Sequence, residues 1–261
     1  MKPIDTNKEI EKTVAFITQT FKNAGFSDAV IGLSGGVDSA VACVLATQAL
    51  GVDHVYPILL PYGGLSTQGV LDAMKLIETL HIPFLHVTRI DIKPAVDMIA
   101  KSDPMMDRIR KGNIMARVRM THLFDQGKKR HALVVGTENK TEYVLGYYTR
   151  FGDEASDIEP LRHLYKTQVY ELAKTVHIPE EIIQKPPSAD LWLEQTDEIE
   201  FGFTYKEADE ILFLLIDEKK SIEEVIAAGF AQTAVEKIQQ RMEQNAFKRN
   251  SPFRREERTA C

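Results

Sequence analysis

Short apolar runs alternate with segments of helical periodicity through the first half of the chain. Compact runs of aliphatic residues predict buried strands at 29–33, 55–60, 84–87 and 132–136. Apolar residues spaced three or four positions apart predict helices at about 10–25, 38–50, 67–80 and 105–126. Alternating strands and helices form parallel sheets covered on both faces, joined by right-handed crossovers. The pattern therefore predicts a doubly wound α/β fold that binds ligands at the carboxyl ends of its strands.

The pattern changes after Gly136. Two segments lack periodicity and are predicted to be loops: 146–160, which is rich in Gly, Asp and Tyr, and 185–198, which contains Pro186 and Pro187. Both are long enough to act as lids over a site.

Helical periodicity returns between and after these loops, at 166–176, 205–216, 221–228 and 233–247. We expect a single domain over 1–261, with an α/β core at about 25–200 and a helical C-terminal region at about 201–261. The basic segment 248–258 is predicted to be a solvated end.

Composition and charge exclude several classes of protein. Lys and Arg total 32 against 38 for Asp and Glu, a formal charge of −6, which argues against a nucleic-acid or anionic-membrane binder. The cysteines, Cys43 and Cys261, are too few for a disulfide framework or a zinc site and suit a reducing compartment. No apolar run approaches the roughly 18–20 residues of a membrane span, and 1–11 lacks a secretion signal. A cytoplasmic protein is expected.

The segment after the first predicted strand has the features of a phosphate site. Adjacent glycines let an anion approach the backbone, and the amides at the start of the next helix favour negative charge. Asp38 would repel phosphate and instead suits a hard cation such as Mg²⁺. The alternative is a simple helix cap, but the order strand, glycine turn, helix favours a site. The segment lacks the Lys of the P-loop and the GxGxxG spacing. Its residues are Gly32, Leu33, Ser34, Gly35, Gly36, Val37, Asp38 and Ser39.

The run from Ser34 to Ser39 resembles the pyrophosphate-binding loop of the ATP pyrophosphatases. The resemblance implies a Rossmann-like fold of the adenine nucleotide α-hydrolase type and cleavage of ATP between its α and β phosphates. Members of this superfamily include synthetases for NAD, GMP, asparagine and argininosuccinate, and enzymes that thiolate tRNA. The loop alone does not choose among them.

Later segments resemble NAD synthetases in order and spacing: 112–120, 136–142, 146–153, 157–161 and 185–191. This resemblance implies amidation of deamido-NAD with ATP and Mg²⁺, through an NAD-adenylate, to give NAD, AMP and pyrophosphate. It also implies a homodimer with sites at the interface. The chain has no room for the amidase domain of glutamine-using relatives, so free ammonia is the expected nitrogen donor.

The resemblance assigns ATP contacts to Thr137, Lys166 and Ser188, and a second metal carboxylate to Glu142. Their own chemistry is compatible with these roles. Thr137 follows the fourth strand, and Ser188 keeps the hydroxyl of the Thr found in relatives. Lys166 lies at a helix start, where a cation opposes the helix dipole, and such a local conflict is typical of a functional residue. Asp38, Lys166 and Glu142 are the expected catalytic set.

The deamido-NAD contacts implied by the resemblance are Arg117, Arg150, Asp157, Phe247 and Lys248. Arg117 lies two residues from Arg119, so the two cannot share a helix face. Arg150 stands where many relatives have Lys, and Phe247 where many have His. Phe247 could stack on a substrate ring, but core packing is favoured.

Two rival functions stay open at this point. One is another enzyme of the superfamily, such as a GMP or tRNA-modifying member; the acidic charge and the cysteine pattern count against the tRNA enzymes. The other is a non-catalytic ATP sensor on the same fold. A sensor would not need Lys166, Glu142 and two loops of lid length.

Overall fold

The computed structural model describes residues 3–189, 191–192 and 195–250. Its sheet is parallel, with strand order β3-β2-β1-β4. The strands are β1 (Asp28–Gly32), β2 (Val55–Leu59), β3 (Thr88–Arg89) and β4 (Ala132–Val135). The doubly wound parallel fold predicted from the sequence is confirmed.

Helices follow the strands and then make up the C-terminal part. Through the α/β part they are α1 (Thr6–Ala24), α2 (Val37–Leu50), α3 (Thr67–Thr79), α4 (Lys93–Ala100), α5 (Arg108–Arg130), α6 (Lys140–Leu145), α7 (Lys166–Thr175) and α8 (Glu180–Ile183). Beyond it they are α9 (Asp197–Phe201), α10 (Tyr205–Leu212), α11 (Ile222–Ala227), α12 (Gln232–Gln244) and α13 (Ala246–Arg249). A π-helical turn, Phe213–Asp217, ends the helix that the sequence predicts over 205–216.

Side chains of β1 alternate between two cores, which is the signature of a sheet covered on both faces. Ala29 and Ile31 pack with α1, α2 and α7, whereas Val30 packs with Met115 of α5 and Val96 of α4. A third apolar cluster joins α6 to α10, α11 and α12. This last cluster holds the C-terminal helices against α6 and the start of α7.

The strand predicted at 84–87 is wrong. Phe84–His86 forms a 3-10 turn in which Phe84 is 71% and Leu85 93% exposed, and β3 begins only at Thr88. Pro83 precedes the turn and offers no backbone N–H to a ladder. The apolar run is therefore a surface turn rather than a buried strand.

Four short helices lie outside the ranges predicted from periodicity, namely α4, α6, α8 and α9. The predicted loop 146–160 is irregular apart from a single bridge between Val135 and Ile158, whereas α9 begins within the predicted loop 185–198. The basic segment is described only to Asn250, so its remainder and Cys261 lie outside the described residues. None of the described helices combines the length and apolar character needed to cross a membrane.

Candidate active site

A cavity of about 480 Å³ opens where β1 and β4 end. Residues that continue these two strands, Leu33 and Gly136, form part of its wall. The order of the strands reverses between β1 and β4, because β2 and β3 lie on the other side of β1. Such a switch point is where doubly wound sheets bind ligands, and the volume suits a small-molecule site.

The glycine loop adopts the conformation that its sequence requires. All its residues from Gly32 to Ser39 line the cavity except Gly35, which has a φ of +80° and packs against α3. The Ser39 hydroxyl donates to the Gly36 carbonyl at 2.9 Å, and the Gly36 N–H donates to the Ser34 hydroxyl at 3.2 Å. These bonds shape the turn, and α2 begins immediately after it at Val37. The first amides of α2 therefore lie beside the cavity, where they favour an anion.

Replacing Gly35 with Ala is expected to weaken ATP binding at least about tenfold, because a Cβ there meets a fixed backbone atom. An ideal Cβ at Gly35 would lie 2.3 Å from the Gly69 carbonyl oxygen, in addition to the strain of its positive φ. Gly64→Ala is the matched control, since nothing lies within 4 Å of a Cβ at that loop position. Calorimetric titration with ATP compares the two variants. Equal affinities would contradict this account of the loop.

The three residues expected to be catalytic converge at one corner of the cavity. The Lys166 ammonium is buried and donates to the Asp38 carboxylate and, at 3.1 Å, to Glu142 Oε1. Asp38 lies in the first turn of α2, Glu142 in the first turn of α6, and Lys166 begins α7. Three helix starts therefore bring two carboxyl groups and one ammonium into direct contact.

Asn139 completes this group and was given no role from the sequence. Its side-chain oxygen accepts from the Glu142 N–H at 3.0 Å as the N-cap of α6, while its amide nitrogen donates to Asp38 Oδ1 at 3.0 Å. The only sequence signal was an Asn three residues before Glu142, which is a typical cap spacing. Asn139 thus connects Asp38 of α2 to the start of α6, the helix that carries Glu142.

Burial and the attraction between Lys166 and the two carboxyl groups shift the pKa values of Glu142 and Lys166 in opposite directions. Burial raises the pKa of Glu142 to about 8, with Lys166 lowering it and Asp38 raising it. For Lys166, burial alone lowers the pKa, but Asp38 and Glu142 together raise it above its ordinary value. Lys166 is therefore a cation at every physiological pH, held between the two carboxylates.

The donor chemistry of Asp38 and Glu142 fits Mg²⁺. Both supply hard carboxylate oxygens, and both are close enough to share the Lys166 ammonium. Within the described ranges, no three His, Cys, Asp or Glu side chains gather as a metal cluster. Mg²⁺ is commonly held by one or two carboxylates together with substrate phosphates, so a pair is sufficient.

The cavity also collects the other residues expected to contact ATP, together with one expected to contact deamido-NAD. Thr137 and Ser188 both line it, Thr137 after Gly136 and Ser188 after Pro187. Lys248 lines it as well, and its ammonium donates to the carbonyl oxygens of Gly146 and Tyr148 at 2.6 and 2.7 Å. Burial lowers the pKa of Lys248.

Arg117 and Arg150 lie outside the described lining of the cavity. Arg117 is exposed and donates to the Arg150 carbonyl at 3.2 Å, whereas its neighbour Arg119 does line the cavity. The Arg150 guanidinium lies 4.8 Å from the ring centre of Phe151 and 5.8 Å from that of Phe247. Arg117 therefore faces solvent and Arg119 faces the cavity, as expected for two residues that are two positions apart on one helix.

Asp157 and Phe247 are likewise placed outside that lining. Asp157 is exposed, and its carboxylate accepts from the Val134 N–H at 2.8 Å. Phe247 is 47% exposed, so the favoured expectation that it packs in the core is wrong. Phe247 belongs to the short helix α13, which has only four residues and buries none of them.

Sequence reasoning missed a group of polar residues in the cavity wall. Tyr147 donates towards Asp197 and Glu200, with oxygen separations of 3.0 and 2.9 Å, and the Arg241 guanidinium lies 5.2 Å from the Tyr147 ring centre. All four residues line the cavity. They come from three distant segments, and no motif joins them along the chain.

A buried acidic pair lies behind Gly136. Glu138 is only 6% exposed, and its neighbour Glu159 accepts from the Glu138 N–H at 3.2 Å. Arg162 approaches Glu138 at 2.7 Å and Glu159 at 3.3 Å. Burial raises the pKa of Glu138 to about 9, an effect that Arg162 opposes and Glu159 increases. One guanidinium thus serves two buried carboxyls.

This pair makes a pH-dependent stability prediction for Glu138→Gln. A pKa raised from 4.5 in the folded state means that stability present at low pH is lost as the pH rises through about 9. Gln does not titrate, so the stability of the variant relative to wild type is expected to increase by about 1 kcal/mol or more from pH 5 to pH 8.5. Urea unfolding at the two pH values measures this, with exposed Glu171→Gln as control. A relative stability that stays constant or decreases from pH 5 to pH 8.5 would show instead that Glu138 is ionised and pairs with Arg162.

Comparison with known proteins places this geometry in context. The family model of NAD synthase matches residues 9–252. The NH(3)-dependent NAD(+) synthetase of Fusobacterium nucleatum is 45% identical over 255 residues, covering 97% of this chain and 98% of that relative. Two solved structures are similar over 97% of the chain: an NMN synthetase from Francisella tularensis (35% identity, TM-score 0.85, 99% of that chain covered) and an NH3-dependent NAD synthetase from Campylobacter jejuni (31%, 0.82, 100%).

Proposed function

Because this chain belongs to the NAD synthase family, we propose that it forms NAD from deamido-NAD, ATP and free ammonia. The observation that carries the proposal is the contact of Lys166 with Asp38 and Glu142 beside the glycine loop, inside the cavity at the strand ends. This is the chemistry needed where a triphosphate is cleaved: fixed amides, a buried cation and carboxylates for a metal.

In the first step, an oxygen of the nicotinate carboxylate attacks the α-phosphorus of ATP. The bond from that phosphorus to the α–β bridging oxygen breaks, and pyrophosphate leaves with the electron pair. The loop amides and the Lys166 ammonium bind the negative charge that develops on the leaving group. Asp38 and Glu142 would hold Mg²⁺, which supplies charge neutralisation of phosphate oxygens when it is bound.

In the second step, the nitrogen of ammonia attacks the activated carbonyl carbon. AMP leaves with the electron pair of the broken C–O bond, nitrogen loses a proton, and NAD is released. No protein nucleophile is required, so catalysis rests on orientation and charge stabilisation. The segments 146–160 and 185–198 supply part of the cavity wall, including Tyr148 and Ser188, and are proposed to exclude water from the adenylate.

A homodimer with sites at the subunit interface is part of the proposal. It is supported by the exposure of Arg117, Asp157 and Phe247, three residues expected to contact deamido-NAD that lie outside the described cavity lining. A second copy of the chain could bring its substrate to them. Light scattering at micromolar concentration is expected to give the mass of a dimer, and a monomer would contradict this part.

A cytoplasmic location stays a prediction from the sequence.

The decisive experiment mixes the protein with ATP, Mg²⁺, ammonium and one acid acceptor at a time, and measures AMP and the amidated product. We expect turnover with deamido-NAD. Nicotinate mononucleotide is the second arm, because the Francisella structure is an NMN synthetase of high similarity, and a preference for it would favour that amidation instead. Xanthylate tests the GMP-type alternative. No AMP with any acceptor would contradict an enzymatic role and leave the ATP sensor.

A further inference from the structure

The starts of α6 and α7 meet at a buried carboxylate from the C-terminal helices. Asp209 of α10 has no exposed surface. Its Oδ1 accepts from the Thr141 hydroxyl at 2.5 Å, and its Oδ2 accepts from the Thr167 N–H at 2.8 Å and the Thr167 hydroxyl at 2.7 Å. The Thr141 hydroxyl in turn accepts from the Lys166 N–H at 2.9 Å. A closed network therefore joins three helices around one side chain.

Each of the groups that Asp209 joins is next in sequence to a catalytic residue or is that residue's own backbone. Thr141 precedes Glu142 in α6, and Thr167 follows Lys166 in α7. A shift of Asp209 would consequently move both catalytic side chains relative to Asp38. None of the residues in the network except Lys166 lines the cavity as described, so its effect on the reaction is indirect.

The negative charge of Asp209 also offsets the unfavourable position of the Lys166 cation at the start of α7. The groups that face its two oxygens are hydrogen-bond donors, which an ionised carboxylate satisfies fully. Burial raises its pKa, whereas the bonds from Thr141 and Thr167 and the charge of Lys166 act the other way. An anion at the N-terminus of α7 favours the helix dipole that the Lys166 cation opposes.

We propose that Asp209 is a positioning residue that sets the register of α6 against α7 and so brings Glu142 and Lys166 to Asp38. The proposal rests on the catalytic roles given to these residues above. It gives the C-terminal helices an indirect role in the site, because Asp209 belongs to α10.

The chain provides a matched control in Asp217. This carboxylate accepts from Lys140 at 2.7 Å and from the Tyr165 hydroxyl at 2.5 Å, which lie one residue before Thr141 and Lys166 respectively. It therefore links the starts of the same two helices to the C-terminal region, but only through the Lys140 and Tyr165 side chains. The Asp209 network, in contrast, includes the backbone N–H groups of Lys166 and Thr167. Asp217→Asn tests general stabilisation of this junction, and Asp209→Asn tests positioning.

Both variants are compared with wild type at a temperature where circular dichroism shows each to be folded. Asn at position 209 presents an amide donor to groups that are themselves donors, and displacements of about 1 Å typically cost up to 10²-fold in rate. We expect kcat to fall about 10–100-fold in Asp209→Asn, with KM for deamido-NAD changed less than about threefold. Asp217→Asn is expected to keep kcat within about twofold of wild type.

Thr141 gives an independent pair of variants if Asp209→Asn does not fold. Thr141→Val removes the bridging hydroxyl at constant size and is expected to reduce kcat about tenfold, whereas Thr141→Ser keeps the hydroxyl and should restore most of it. Wild-type kcat in Asp209→Asn, an equal loss in Asp217→Asn, or equal values for the two Thr141 variants would each overturn the proposal. An inactive wild-type protein would contradict the proposed function instead.

Discussion

An Asp38→Asn variant is expected to fold normally and to lose at least about 10³-fold in kcat, equivalent to roughly 4 kcal/mol of transition-state stabilisation. Asn keeps the size of the side chain and one oxygen, but it removes a negative charge from the pair proposed to hold Mg²⁺. The loss should not be a loss of structure, because Asp38 is partly exposed to the cavity and lies at the start of α2 rather than in its core.

The comparison that isolates this effect is Asp28→Asn. Asp28 lies at the opposite end of β1, where it bonds to the His54 ring at 2.7 Å, so it belongs to the same strand but not to the cavity. Steady-state kinetics of both variants are measured over a range of Mg²⁺ concentrations. Asp38→Asn should need far more Mg²⁺ or fail to saturate, and Asp28→Asn should match wild type. Near-normal turnover of Asp38→Asn would remove Asp38 from the mechanism.

The sequence was most informative where local structure and chemistry coincide. The runs that became β1, β2 and β4 are apolar because both faces of the sheet are covered, and the glycine loop directly follows β1. The run at 84–87 is equally apolar, yet it lies at the surface beside a strand of only two residues. Periodicity measures how apolar a segment is and not whether a partner covers it.

The candidate site was predicted in part for a similar reason. Lys166 stood out because a cation at a helix start is locally unfavourable. The structure shows the carboxylates from two other helices, Asp38 and Glu142, that make it favourable. Such compensation cannot be deduced from one segment. Asn139 and Asp38 are 101 residues apart in sequence, so no spacing rule joins them.

The cavity residues around Tyr147 show the limit most clearly. Asp197 begins a helix of five residues, too short for a periodic signal, and Arg241 lies on α12 among other polar residues. Their proximity to Tyr147 arises only when the C-terminal helices pack on α6. Residues that function through tertiary packing alone are therefore the ones that sequence reasoning misses.

A Lys166→Met variant is expected to lose kcat by about 10³-fold or more, but, unlike Asp38→Asn, to keep the Mg²⁺ dependence of wild type. Met fills the space of the Lys stem but brings no charge to the leaving pyrophosphate. The carboxylates of Asp38 and Glu142 stay in place, so the variant should still respond to Mg²⁺ while remaining slow. Slow turnover that saturates at the wild-type Mg²⁺ concentration would indicate the loss of the Lys166 charge, whereas slow turnover that needs far more Mg²⁺ would indicate the loss of a metal ligand.

Lys166→Met should also destabilise the fold in a pH-dependent way. Removing the buried cation leaves two adjacent carboxylates without a partner, which typically costs about 3–5 kcal/mol. Burial already raises the pKa of Glu142 to about 8 in the presence of Lys166, so in its absence Glu142 takes up a proton more readily as the pH falls. The loss of unfolding free energy should therefore be large at pH 8.5 and smaller at pH 6.

The matched control for Lys166→Met is Lys140→Met, which breaks an ion pair with Asp217 outside the described cavity lining. Urea unfolding at pH 6 and 8.5, together with turnover at saturating substrates, is measured for both variants. Lys140→Met should lose about 1 kcal/mol or less, nearly independent of pH in this range, and keep its activity. If Lys166→Met instead turned over at more than about a tenth of the wild-type rate, a fixed cation would not be what stabilises the departing pyrophosphate.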